Sequence, residues 1–204
     1  MSSPIVICAA VFGASAGGLL PRAVCRFFTR ASPYAISVPG VASASAGALV
    51  CALLADALGP SPMLPFHLLA TIPGLLLALV DLRCLRLPDP LVAVFAALTV
   101  VPLAASQPQR IMPALAAGAV VMTAYLGIAL LPGRGLGLGD VKLAGVIATI
   151  LGFAGWEAVL VGVVVPHLIA GPVALVMLLA RRARPLPFGP ALLAGALIGV
   201  VTAA

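Results

Sequence analysis

Charge is what this sequence lacks most. Only 8% of its 204 residues are Asp, Glu, Lys or Arg, and just five are acidic. A surface that faces water carries several times that density. With 63% hydrophobic residues and a mean hydropathy of +1.28, the shortage excludes an ordinary soluble enzyme and implies an integral membrane protein. The sequence also lacks any CxxC pair: Cys8, Cys25, Cys51 and Cys84 stand 17, 26 and 33 positions apart, which excludes a zinc knuckle. His67 and His167 are isolated in apolar sequence, with no ligand partner at metal spacing. No metal and no cofactor is therefore expected. No basic stretch precedes the first apolar run, MSSPIVICAAVFGASAGG, so this run is expected to be a retained helix and not a cleaved signal peptide. Internal repeats and low-complexity tails are absent too.

What is present is a succession of apolar runs, at 5–20, 42–59, 64–80, 90–105, 111–131, 141–154, 157–180 and 187–203, punctuated by Pro21, Pro60, Pro90 and Pro185 among others. They predict an all-α fold, a polytopic bundle of about eight transmembrane helices in a single membrane domain. Within it, 5–60 form two accessory helices and 64–203 a six-helix core. The sixth run is shorter than the roughly 20 residues that span a bilayer, as expected of a re-entrant or partly buried helix. Thr29–Gly40 is the longest loop. With the N-terminus outside, Arg22, Arg26, Arg30, Arg83, Arg86, Arg134, Lys142, Arg181, Arg182 and Arg184 all fall inside and only Arg110 outside, as the retention of positive charge on the cytoplasmic side demands. Topology thus accounts for the net charge of +6 without a nucleic-acid partner, whereas anionic membrane lipid suits the cytoplasmic loops.

In such a chain each of the five acids needs a reason. Asp56 and Glu157 fall at the outer helix ends, where water is close, and Trp156 beside Glu157 reads as an interfacial anchor. His167, beside Pro166, reads as a packing or hydrogen-bonding residue, and Cys8 and Cys51 as small hydrophobes. Asp89 precedes Pro90 and a new apolar run, the pattern of an N-cap followed by proline. Asp140 admits two readings: a cap for a helix beginning at Val141, or a functional carboxylate. Asp81 is different. It follows TIPGLLLALV directly, at the carboxyl end of a helix, where the dipole disfavours an anion and no cap is needed. The 59 positions between Asp81 and Asp140 hold two helices, one out and one back, so both carboxylates return to the same face. Two neighbouring carboxylates share one proton and titrate as a unit, which equips one as base and the other as acid for hydrolysis by activated water. The glycines before Asp140 would let an extended substrate backbone approach closely.

GLGLGDVKLAG, residues 135–145, resembles the GxGD motif of the prepilin peptidases, aspartic intramembrane enzymes that process type IV pilin precursors. Gly137, Gly139 and Asp140 match it, with Lys142 following. VDLRCLRLPDP, residues 80–90, is similar to the family's other signature, an aspartate at a helix end followed by basic residues and a Leu-Pro-Asp element. RPLPFGPALLAGALIG, from Arg184, is similar to the proline-rich opening of the last helix. The resemblance covers residues 64–203 and implies that Asp81 and Asp140 are the catalytic pair and that Gly137, Gly139 and Lys142 belong to the substrate-binding loop. It further implies, as partner, a prepilin or pseudopilin precursor whose short basic leader is cut off at the cytoplasmic face of the bacterial inner membrane. Larger members carry paired CxxC motifs in an early loop and often N-methylate the new terminus; their absence here argues against carrying methylation over.

Lys142 has two readings, a group that lowers the pKa of a neighbouring carboxylate or orients the loop, and a snorkelling cytoplasmic anchor. Two other functions fit the composition. In a small proton- or solute-coupled transporter the same carboxylates would bind the coupling ion, and in a non-catalytic scaffold of a secretion apparatus both aspartates would be dispensable.

Overall fold

A computed structural model describes residues 3–27, 35–131, 136–180 and 186–204. Among them it contains eight α-helices and no strand: α1 (Ser3–Phe27), α2 (Gly40–Leu58), α3 (Leu64–Cys84), α4 (Asp89–Ser106), α5 (Ile111–Ala129), α6 (Leu138–Gly152), α7 (Trp156–Leu179) and α8 (Gly189–Ala203). A 3₁₀ turn at Pro108–Arg110 joins α4 to α5. The expected bundle is thus found. Six helices, all but α6 and α8, are long and apolar enough to cross a membrane.

Proline marks the helix starts, within the first two positions of α3, α4 and α8, where its missing N–H is an orphan in any case. Proline does not always stop a helix here. Pro21, expected to end the first run, lies inside α1, which continues to Phe27. Pro73, Pro102, Pro166 and Pro172 are likewise internal, as helices in a bilayer tolerate when neighbouring segments support the freed carbonyls. Of the expected loop Thr29–Gly40, residues 29–34 lie outside the described residues, as do Arg30, Arg134, Arg181, Arg182 and Arg184. Residues 35–39 have no regular structure, Gly40 already opens α2, and the Ile36 N–H donates to the Leu82 carbonyl at 2.9 Å, tying the loop to the end of α3.

Burial explains the short sixth helix. Nine of the fifteen residues of α6 are buried, Val141, Leu143, Ala144, Gly145, Ile147, Ala148, Ile150, Leu151 and Gly152, and it packs on α4, α5, α7 and α8. A helix apolar all round is one enclosed on most sides. The outer helix α7 is the opposite, with Leu168, Val173, Leu175 and Val176 exposed, the arrangement expected of a lipid-facing surface. At the far end of α6, Arg110 donates to the Phe153 carbonyl at 2.6 Å. This cation satisfies a helix C-terminus and fixes the α4–α5 and α6–α7 turns to one end of the bundle. The end of α3 and the starts of α4, α6 and α8 therefore share the other end.

The α1–α2 pair is built on small residues. A side chain at Gly13 would strike the Gly47 carbonyl, and one at Gly17 the Ser43 carbonyl. Such spacing lets helix backbones approach closely in a bilayer.

Candidate active site at the helix ends

Asp81 lies in the last turn of α3, 5% exposed. The helix stops just beyond it because Leu85 takes the left-handed conformation, φ 52°, and its N–H donates to the Asp81 carbonyl at 2.8 Å. The Asp81 side chain reaches the start of another helix, where its Oδ2 accepts the Gly189 N–H at 2.9 Å. The expectation that this carboxylate does not cap is therefore corrected. It opposes the dipole of its own helix but satisfies one of the orphan donors at the N-terminus of α8, which favours an anion. Gly189 makes the approach possible, since a side chain there would lie 2.9 Å from Asp81 Oδ2 and 3.3 Å from its Cγ.

Asp140 lies in the first turn of α6, outside the six membrane-spanning helices. Its Oδ2 accepts the Gly137 N–H at 3.2 Å while its own N–H donates to the Gly137 carbonyl at 3.0 Å. The helix begins at Leu138, not Val141, so Asp140 caps from the third position by reaching back. Capping occupies only one of its oxygens; Oδ1 is buried with no hydrogen-bond partner among the described residues. Burial, and then the charge of Asp81, push the Asp140 carboxyl up from 3.8 to about 6, against the pull of the Gly137 N–H. The fold thus brings Asp81 and Asp140 to the same end of the bundle.

Three sequence expectations change in this region. The α4 helix starts with Asp89 itself, with Pro88 at the N-cap and no side-chain capping bond, so Asp89 is not the cap. Its carboxylate instead accepts from Lys142 Nζ at 2.6 Å, an exposed ion pair that clips the start of α6 to the start of α4. Lys142 accordingly points to Asp89 and not to the dyad. Gly139 is no open slot, because the space beside it is filled by Leu87, whose Cβ would lie 2.9 Å from a side chain there. Gly137 does remain exposed beside the Asp140 carboxylate.

The end of the bundle thus offers two carboxylates on separate helices, each with one oxygen held by a backbone N–H. The sequence model of the type IV leader peptidase family matches residues 68–203, more than half of the chain. The chain belongs to that family. No curated protein and no solved structure matches it. In this leader peptidase the family match takes in α4 to α8 and most of α3, and so contains both aspartates, whereas α1 and α2 precede it.

Two residues beside the dyad are absent from the sequence reading. Gly189 had a signal, since it stands in the PFGP opening of the last helix, but only the fold reveals whose carboxylate it receives. Tyr125, on α5, is one of only two tyrosines in the chain. It is 2% exposed, and the Asp140 charge acts on its hydroxyl. A phenol in an apolar helix is a signal in itself, because a buried hydroxyl calls for a partner. His167 fulfils its expected packing role: its Nδ1–H donates to the Val163 carbonyl at 2.7 Å, and its ring meets Tyr125 and Phe188 edge-on.

Proposed function

We propose that this leader peptidase is a membrane aspartic endopeptidase that removes the short basic leader from a type IV prepilin or pseudopilin-like precursor. Asp81 and Asp140 are its catalytic pair. The observation that carries this assignment is the placement of two carboxylates, 59 positions apart in sequence, at one end of the bundle, on the end of α3 and the start of α6. The ionised member takes a proton from water, whose oxygen adds to the carbonyl carbon of the scissile bond. The protonated member polarises the carbonyl oxygen. As the tetrahedral intermediate collapses, the C–N bond breaks and the leaving amine receives a proton. Asp81 suits the role of base and Asp140 that of acid, since burial and then the charge of Asp81 favour the proton on Asp140.

The distribution of Arg and Lys supports a cytoplasmic location for this end of the bundle, and the family match supports a bacterial inner-membrane setting for the chain. A precursor keeps its hydrophobic helix in the bilayer and offers its leader junction at the interface. Gly137, exposed beside Asp140, is the point at which substrate backbone comes close. Lys142, held by Asp89, orients the loop from outside. We assign cleavage alone, because the CxxC pairs that accompany methylation in larger members are missing.

Co-expression with candidate precursors, in cells lacking the native enzyme, tests the assignment by mass spectrometry of the product's N-terminus. Asp81→Asn and Asp140→Asn should each leave the leader in place while the protein accumulates in the membrane. Normal leader removal by either variant would sink the assignment, and proton-coupled uptake lost with Asp140 would favour a transporter.

A further inference from the structure

Two buried polar atoms flank the dyad without a hydrogen-bond partner among the described residues, Asp140 Oδ1 and the Tyr125 hydroxyl. The register of α5 and α6 places the two residues on facing segments. Gly152 lies against Ala114, Thr149 against Gly118 and Gly145 against Met122, an antiparallel pairing that continues to Tyr125 opposite the first turns of α6. Tyr125 and Ala144 line the same narrow internal gap, and Asp140 stands one turn before Ala144 on the same face. The Tyr125 ring is held edge-on by His167, with centroids 5.7 Å apart, and His167 in turn by Phe188 at 5.5 Å. Phe188 immediately precedes Gly189, the donor to Asp81. Two successive ring contacts, through His167, thus link the phenol to the segment that holds Asp81.

Packing alone does not account for this residue. Phenylalanine would make the same ring contacts without burying a hydroxyl, and a buried polar group without a partner is costly. The chemistry of the two orphans indicates what would satisfy them. Asp140 Oδ2 is occupied by the Gly137 N–H, so the acid form carries its proton on Oδ1, and the phenol retains its own proton at neutral pH. Both are donors, and an oxygen that gains negative charge accepts from both.

We propose that Tyr125 is a further catalytic residue, whose hydroxyl donates a hydrogen bond to the carbonyl oxygen of the bond being cut, beside Asp140 Oδ1. The proposal rests on the peptidase assignment above. When water adds to the carbonyl carbon, the π electron pair moves onto that oxygen, and the charge is shared between the Asp140 proton and the Tyr125 O–H. Tyr125 keeps its proton throughout. Loss of one such donor lowers kcat by about 10²–10³-fold, because the bond strengthens only as the charge develops.

The test is steady-state cleavage of a synthetic precursor by the purified full-length protein and its Tyr125→Phe variant, alongside Asp81→Asn and Asp140→Asn, with thermal melting of each. The expected result is kcat reduced by about 10²-fold or more in Tyr125→Phe, with KM nearly unchanged and Tm not lowered. Cleavage lost in the aspartate variants but retained at the unaltered rate in Tyr125→Phe overturns the proposal alone. So does a rise in KM at constant kcat, or a fall in kcat that only follows a lowered Tm, since the hydroxyl would then serve binding or structure. No cleavage by the unaltered protein, or cleavage that survives Asp140→Asn, overturns the peptidase assignment and the proposal with it.

Discussion

Asp81 and Asp140 have the same backbone chemistry and opposite origins. Each gives one carboxylate oxygen to a glycine N–H at the start of a helix. For Asp140 the donor is Gly137, three residues away. For Asp81 it is Gly189, 108 residues away, on a different helix from its own. One half of the dyad is set by a local turn, which forms as soon as α6 begins, and the other by the packing of α3 against α8. Damage to tertiary packing should therefore disarm Asp81 first, whereas damage to the loop before α6 should act on Asp140.

The largest expected effect erases the comparison. On the proposed assignment Asp81→Asn and Asp140→Asn each remove a group that moves a proton, and a loss of about 10²–10⁴-fold in kcat is expected, measured on a cleaved precursor peptide. Next comes Gly189→Ala. Its methyl group would lie 2.9 Å from Asp81 Oδ2, forcing the carboxylate off its donor, and a hydrogen bond to a charged group is worth about 1.5–3 kcal/mol. Both kcat and Tm should fall, and an unchanged Tm would show that the remote bond holds nothing. Gly137→Ala is the local counterpart. The backbone there, φ −76° and ψ 146°, suits any residue, and the methyl group would meet only the end of the Asp140 side chain, at 3.0 Å. A stability change of about 0.5 kcal/mol or less is expected; a loss matching that of Gly189→Ala would remove the distinction between the two halves.

The pH dependence of stability separates the halves further. The Asp140 carboxyl is raised from 3.8 to about 6, so the folded state binds its proton more tightly than the unfolded chain does. The resulting contribution to stability is fully present below about pH 4 and is lost as pH rises through about 6. Melting of the unaltered protein should therefore drop between those values, and Asp140→Asn should flatten the drop; an equal drop in the variant would assign it to other groups. A small effect is also expected from Lys142→Met. The pair with Asp89 has side chains 49% and 65% exposed, and such pairs contribute about 0–1 kcal/mol. A double-mutant cycle with Asp89→Asn gives the coupling directly.

The helices were legible because their signal is coarse. Apolar runs bounded by breakers place α2 to α8 within a few residues, and a carboxylate at the wrong end of a helix is enough to single out Asp81. Less legible was anything that depends on which helix ends meet. Asp89 has every sequence mark of an N-cap, yet its carboxylate turns to Lys142, because a charged partner from α6 lies within reach and competes with the backbone. Gly139 looks like an open slot in sequence, and only the packing of Leu87 against it shows that the space is taken. Pro21 reads as a stop because propensity is judged against water; in a bilayer a break in α1 would leave more backbone unsatisfied than the proline does. Tyr125 escaped notice because one hydroxyl hardly alters the apolar pattern of α5.

The bond from Gly189 to Asp81 has a consequence in time. Synthesis proceeds at about 5–20 residues per second, so Asp81 enters the membrane several seconds before residue 189, 108 positions later, has been made. Throughout that interval the carboxylate lacks its Gly189 donor. On the proposed assignment, a nascent or truncated chain ending before α8 should therefore be a silent peptidase, its competence arriving with the last helix.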